Sequence, residues 1–449
     1  MMTSKKLPSG LLSPIAFLVY YVDLDNLQSP KDWVLSLEEG YMILFLRKLR
    51  SSISNFDSKA MDLLRAEYIP LVLLLMNGVL FRFLTFKLGI SPETAWYGLD
   101  TKQYVNMVVT PMLDRAGDLN RHPLFSLLLA GPTIFLNFFF QNVSIAFLSI
   151  TCIVAIFVSV VFYALFRHGK LNKTYSLIAT IICVNFTSSI YFLPIFEMLS
   201  FTMGTTALAF LLVLIARRLQ SGKLKMSLMV LSISVPMMAT TPLAIIGIVG
   251  SFLYLSRSEF IHSVLYAYFL VSLVFVVQNF IFPTTNFFLN RPPGYYVAEN
   301  HWSYLFLAPI KWVGSTFSLP ILIRDPAPPF FHPLDSADLS LLSFWGFLAI
   351  CWTSILFYVL LRTWKLGDKF PVISVIFLTA IVQLWGSEPH LQAPYLFPIF
   401  AYLFFMNLHD LASSKFVKLF SYVTLLITLG YNIHVFRGAL SVLQDFTGH

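Results

Sequence analysis

The chain has 449 residues, 57% of them hydrophobic and 12% charged, with a formal charge of +8. Soluble chains carry about 25% charge, so this composition excludes a water-soluble globular fold and leaves an all-α integral membrane protein. The positive charge does not point to nucleic acid, because Lys and Arg fall in short loops between apolar runs, where orientation signals belong.

Residues 1–67 are mixed and are expected to form a cytoplasmic or interfacial N-terminal segment. No signal peptide is expected, since no short apolar run follows a basic start and ends in a small-residue cleavage site. Leu11–Tyr21 is apolar but too short to span. Trp33–Ile53 combines Leu, Tyr and Phe with Arg47, Lys48 and Arg50. It reads either as a helix lying on the cytoplasmic face, held partly by anionic lipid, or as a plain soluble cap.

A span needs about 20 apolar residues. That rule, with some shorter segments allowed, places spans near Tyr68–Leu88, Val143–Phe166, Tyr175–Pro194, Met198–Ala216, Met226–Met238, Pro242–Leu255, His262–Phe282, Leu339–Leu361, Phe370–Trp385, Leu391–Leu408 and Val417–Phe436. The expected fold is therefore about eleven transmembrane helices by the length rule. Pro123–Phe140 is also apolar and complicates the count.

Positive charge resolves it. Clusters fall at Arg167, Lys170 and Lys173, then at Arg217, Arg218, Lys223 and Lys225. Arg257 comes next, then Arg362, Lys365 and Lys369, and finally Lys415 and Lys418. If all of these and the basic N-terminus are cytoplasmic, the spans alternate correctly, provided Pro123–Phe140 does not cross. That segment is expected to be a re-entrant, steeply tilted or interfacial helix on the outer side, interrupted near Gly131-Pro132. Met226–Leu255 carries Pro236 and Pro242, and reads as two short spans with a tight turn at Ala239–Thr241.

The resulting organisation is an N-terminal segment (1–67), a transmembrane core (68–282) with a first external loop (89–122), a large external loop (283–338) and C-terminal helices (339–449). The large loop is rich in Pro and aromatics, and is expected to fold back over an outer cavity.

The candidate chemistry gathers on the outer face of this topology. The stretch from Trp96 to Phe125 holds Asp100, Asp114, Asp118, Arg115, Arg121 and His122. Asp100 is the leading candidate for a catalytic base, whereas Asp114 and Asp118 read as solvated loop residues. Glu197 lies at the outer end of a span, and Glu388 and His390 lie between two later spans. Ionisable groups near membrane depth are expensive and so are functional candidates, with a loop residue in water as the alternative for Glu197 and Glu388. Arg82, Arg121, Arg291 and Arg324 are the cations available to an anion on this face, although Arg82 also reads as a side chain that snorkels to the interface. Asn142-Val-Ser is a candidate glycosylation acceptor at the outer edge. No Gly-rich phosphate loop, metal-ligand spacing or nucleophile elbow occurs in the sequence. Cys152, Cys183 and Cys351 lie in apolar runs and are expected to be unpaired.

Asp100 and Tyr104, then His122-Pro-Leu-Phe125, resemble the first loop of the GT-C superfamily of integral membrane glycosyltransferases. Ile190-Tyr-Phe-Leu-Pro-Ile-Phe-Glu-Met-Leu-Ser200 is similar to a stretch of PIG-V-like GPI mannosyltransferases and their bacterial relatives. Met238-Ala-Thr-Thr-Pro-Leu-Ala244 stands where those proteins have an Arg-containing turn, but no Arg is present, and the late motif has His390 in place of Arg. The likeness covers roughly Tyr68 to Leu255, with a weaker echo at Glu388–Pro398.

The resemblance implies inverting transfer of a sugar from a polyprenyl-phosphate donor to a lipid, glycan or protein acceptor. Asp100 would be the base. Tyr104, Arg121, His122, Glu197, Arg291, Arg324, Glu388 and His390 would contact substrate. It leaves open whether the reaction is metal-free or uses a divalent cation. It implies membrane lipids and no nucleic acid as partners, and a multi-pass protein of a bacterial inner membrane or the ER whose site faces the outer or lumenal side. A transporter or lipid-linked sugar flippase without chemistry is the alternative, as is an assembly subunit whose site has decayed. The absence of an internal repeat and the one-sided gathering of ionisable groups count against transport.

Overall fold

The computed structural model describes residues 67–84, 86–87, 131–187, 198–220, 222–281, 310, 312–319, 336–385, 393–410 and 414–447. The chain divides into two compact units, Met1–Ile69 and Pro70–His449. The helical bundle belongs to the second.

Among the described residues all regular structure is helical. In chain order the helices are α1 Glu67–Leu84, α2 Gly131–Phe140, α3 Val143–His168, α4 Lys173–Asn185, α5 Met198–Ala216, α6 Lys223–Ala239, α7 Ala244–Tyr254, α8 Arg257–Ile281, α9 Ser336–Lys365, α10 Lys369–Trp385, α11 Ala393–His409 and α12 Lys415–Thr447. Four of them are long and apolar enough to cross a membrane: α1, α3, Leu342–Lys365 within α9, and Lys415–Arg437 within α12.

Among the described residues, then, four of the eleven expected spans are met by helix length and apolarity. Where individual helices differ from the expected spans, the causes are local. Helix α4 stops at Asn185, well before the expected Pro194, with Phe186 as its C-cap. In the Met226–Leu255 run, Thr240 is extended (φ −157°, ψ 118°) and a single 3-10 turn, Thr241–Leu243, leads into α7. That break falls where the two prolines predict one, and it leaves two short helices. At the other extreme, α12 runs eleven residues beyond the expected Phe436.

Capping fixes several helix starts. Asn142 and Asn172 accept the N–H groups of Ile145 and Tyr175 at 3.0 and 2.9 Å, opening α3 and α4. Ser256 and Glu259 precede and enter α8, and the Ser256 N–H donates to the Glu259 carboxylate at 3.0 Å. This bond holds that carboxyl below its usual range.

The bundle is built around α5 and α11. Helix α5 packs against α3, α6, α7 and α11, and α11 against α3, α5, α9, α10 and α12. All residues of α11 are buried except Met406 and His409. Between α11 and α9 lies a short helical turn, 312–317. Its Phe317 ring stacks on Trp352 of α9 at 4.1 Å and meets the rings of Phe397, Phe400 and Phe404 of α11 edge-on or tilted. Offset and edge-to-face aromatic contacts of this kind add about 0.5–1.5 kcal/mol per pair beyond the area they bury. This turn belongs to the long segment 283–338, and it sits in the core. Close helix contacts elsewhere depend on glycine. A Cβ at Gly247 of α7 would lie 2.4 Å from the Ser232 carbonyl of α6.

All three cysteines are free; Cys183 and Cys351 are buried.

Candidate functional site

The basic loops converge at one end of the bundle. The Arg218 guanidinium donates to the His168 carbonyl at 3.0 Å, clamping the α5–α6 connection onto the α3–α4 connection. Arg217 pairs with Asp368 through one guanidinium nitrogen, Nη1, which donates to both carboxylate oxygens at 2.8 and 2.9 Å, tying the α5–α6 connection to that between α9 and α10. Arg362 at the end of α9 reaches Asn407 at 2.6 Å and Asp410 just beyond α11. The Tyr175 ring near the start of α4 contacts His409. Burial alone would weaken the charged form of Arg217. The Asp368 pair and the Tyr254 hydroxyl outweigh it and raise its pKa.

From this basic end, α4, α6, α8, α10 and α12 run outward, and α3, α5, α7, α9 and α11 run back. Helix α1 runs outward too, since its C-terminal turn meets that of α4.

The opposite end is organised by the C-terminus of α4. Thirteen helical residues rise about 20 Å, short of the roughly 30 Å of a bilayer core. The last carbonyls of α4 would be orphaned there without protein partners. Arg82 supplies one set, donating to Val184 O and to Asn185 Oδ1, both at 3.4 Å. Asn185 in turn donates to Asn77 Oδ1 of α1 at 2.7 Å. Asn432 of α12 supplies the other. Its amide donates to Phe186 O at 2.9 Å and to Phe317 O at 2.7 Å, and its oxygen accepts the Leu319 N–H at 2.8 Å. One buried amide thus joins α12, the end of α4 and the buried turn.

Arg82 corrects the snorkelling expectation. It is 1% exposed, lies 4.9 Å above the Phe81 ring and is enclosed by protein. A cation at a helix C-terminus meets the negative end of the helix dipole, which offsets part of its desolvation.

The nine residues singled out in the sequence, Asp100, Tyr104, Arg121, His122, Glu197, Arg291, Arg324, Glu388 and His390, lie outside the described residues. Each of their segments is flanked by at least one described helix end at the end opposite the basic loops. These are the C-terminal turn of α1 before Asp100, the end of α4 and start of α5 around Glu197, the end of α8 before Arg291, the start of α9 after Arg324, and the α10 and α11 ends around Glu388 and His390. Asn142, the start of α3, is exposed at this end with its side-chain oxygen engaged as a cap. Among the described residues no three His, Cys, Asp or Glu side chains come together to hold a metal ion.

Sequence reading passed over Asn77, Asn185 and Asn432 because it weighed ionisable groups alone. The available signal was an amide inside an apolar run, as in Ile182-Cys-Val-Asn185, since a buried amide is costly unless its partners are built in.

No family model, curated protein or solved structure matches this chain.

Proposed function

We propose that this chain is a GT-C-type integral membrane glycosyltransferase. It transfers a sugar from a polyprenyl-phosphate donor to a lipid, glycan or protein acceptor. In this reading α1 and α3–α12 all cross the membrane, the basic end is cytoplasmic, α2 is the re-entrant helix, and the site faces the outer or lumenal side. The observation that carries it is topological. Every segment bearing a candidate residue joins at least one helix end at the same, non-basic end of the bundle. The Asp100…Tyr104 and His122–Phe125 motifs and the Ile190–Ser200 stretch supply the chemical class.

Asp100 acts as general base, taking the proton of the acceptor hydroxyl. The freed oxygen attacks the anomeric carbon, the bond from that carbon to the phosphate oxygen breaks, and the lipid phosphate leaves with inversion. Arg121, Arg291 and Arg324 are the cations offered to the leaving phosphate, and a planar guanidinium suits it. Tyr104, His122, Glu197, Glu388 and His390 orient the sugar and acceptor. A divalent cation would be held by carboxylates of the first loop.

The test is transfer from a polyprenyl-phosphate sugar by the purified chain and its Asp100→Asn variant. Loss of transfer with normal insertion and folding supports the reading, and wild-type turnover by the variant ends Asp100 as base. Movement of the lipid-linked sugar across liposomes without any glycosylated product would replace the transferase with a transporter.

A further inference from the structure

Among the described residues the basic end holds more cations than carboxylates. The thirteen Lys and Arg residues of its loops and helix ends, from Arg167 to Lys418, face three described carboxylates, Glu259, Asp368 and Asp410. The excess is ten, against +8 for the whole chain, so the rest of the sequence is net acidic by two. Two of the three carboxylates are already engaged, Asp368 by Arg217 and Asp410 by Arg362, and Glu259 is bonded to Ser256. Lys170, Arg218, Arg257, Lys365, Lys369 and Lys415 are exposed.

Two features say what kind of partner this suits. The five connections at this end are two to six residues long between helix bounds, so the charges stay within a turn or two of apolar helix ends. Large apolar side chains are also exposed among the lysines. Leu224 lies between Lys223 and Lys225, Leu366 comes after Lys365, and Phe416 after Lys415, at 64%, 71% and 76% exposure. A nucleic acid or a soluble acidic protein would leave those apolar groups in water. A lipid headgroup layer matches both, with phosphate against the cations and acyl carbons against the leucines and phenylalanine.

We propose that this end of the bundle binds anionic phospholipid headgroups, with Lys170, Arg218, Lys365 and Lys369 among the residues that select them over zwitterionic lipid. The proposal does not depend on the transferase reading.

The full chain is reconstituted in phosphatidylcholine vesicles containing a trace of spin-labelled phosphatidylglycerol or spin-labelled phosphatidylcholine. The motionally restricted fraction of each label reports lipid held at the protein. The expected result is at least a twofold preference for phosphatidylglycerol that shrinks toward one as salt shortens the Debye length from about 10 Å at 0.1 M to about 3 Å at 1 M. The Lys170→Gln, Arg218→Gln, Lys365→Gln, Lys369→Gln variant brings the ratio close to one, while an Arg47→Gln, Lys48→Gln, Arg50→Gln variant keeps it. Equal restriction of the two labels by the parent chain overturns the proposal. So does a preference that survives the fourfold change and disappears with the N-terminal one, which would move the lipid site to residues 33–53. Displacement of the labelled phosphatidylglycerol by low concentrations of a soluble oligoglutamate would make the occupant an acidic polypeptide instead.

Discussion

Asn432 and Leu319 meet in a fully buried hydrogen bond of 2.8 Å, across 113 residues of sequence. The same amide holds the carbonyls of Phe186 and Phe317, so its three bonds fix the α4 terminus and the buried turn against α12. Replacing it by Leu removes that partner from one buried N–H, one buried carbonyl and one part-buried carbonyl. Each such group costs about 1–3 kcal/mol, so Asn432→Leu is expected to cost on the order of 3 kcal/mol or more. Asn432→Asp keeps the acceptor, loses both donated bonds and places a carboxylate against two carbonyls, so it should be no better. Unfolding followed by tryptophan fluorescence checks this, and a parent-like transition for both variants would remove Asn432 from this role.

Arg82 and Asn185 are expected to be coupled. Each bridges α1 to α4, and contacting residues in one network show interaction energies of about 0.5–3 kcal/mol in double-mutant cycles. The cycle Arg82→Met, Asn185→Leu should give a value in that range. Arg82→Lys should not restore the parent, because a point charge lacks the fork that reaches both Val184 O and Asn185 Oδ1. Strict additivity of the two changes would show that the contact is incidental.

Two helical glycines should behave oppositely. At Gly247 a methyl group would fall 2.4 Å from the carbonyl carbon and oxygen of Ser232, which are backbone atoms that cannot swing away. At Gly346 a methyl group meets nothing within 4 Å. Gly247→Ala should therefore separate α6 from α7 and cost about 1–3 kcal/mol or more, as overpacking does. Gly346→Ala should be neutral, or stabilising by up to about 1 kcal/mol through helix propensity. Parallel melting curves decide it, and similar behaviour of the two variants would contradict the close packing of α6 on α7.

The Arg217–Asp368 pair should contribute little in spite of its two short contacts. Both side chains are partly exposed, at 21% and 30%, and pairs of that kind are worth about 0–1 kcal/mol. Asp368→Asn should lower the melting temperature only slightly, and less so at high salt. The pKa of Arg217 is raised in the folded chain, so the stability its charge provides is complete below its unfolded pKa and declines only as pH rises through the folded value. Both lie far above neutrality, so Arg217 should add no pH dependence between weakly acid and weakly alkaline solution. A loss of stability near neutral pH that disappears in Arg217→Gln would refute this.

Much of the helical layout was legible in the chain itself. Apolar runs marked α3, α5 and α9 to within a few residues, and Pro236 with Pro242 marked the break at Thr240, because helix formation and its interruption are local events. The grouping of basic loops was legible too, since charge excluded from apolar runs can only collect at helix ends. The candidate chemistry of Asp100 and its companions rests on motif alone, because those residues lie outside the described ones.

What only the tertiary structure decided is how the non-basic end is held together. Arg82 reads as an interfacial cation until Val184 and Asn185 arrive from more than a hundred residues away. The 312–319 turn reads as external loop until Asn432 and the aromatic rings of α9 and α11 enclose it. Asn432 itself reads as one polar residue in an apolar helix, and its bond to Phe186 spans 246 positions. Local sequence specifies which backbone groups a broken helix leaves unpaired. The side chain that satisfies them is a matter of packing between distant segments, which no local pattern encodes.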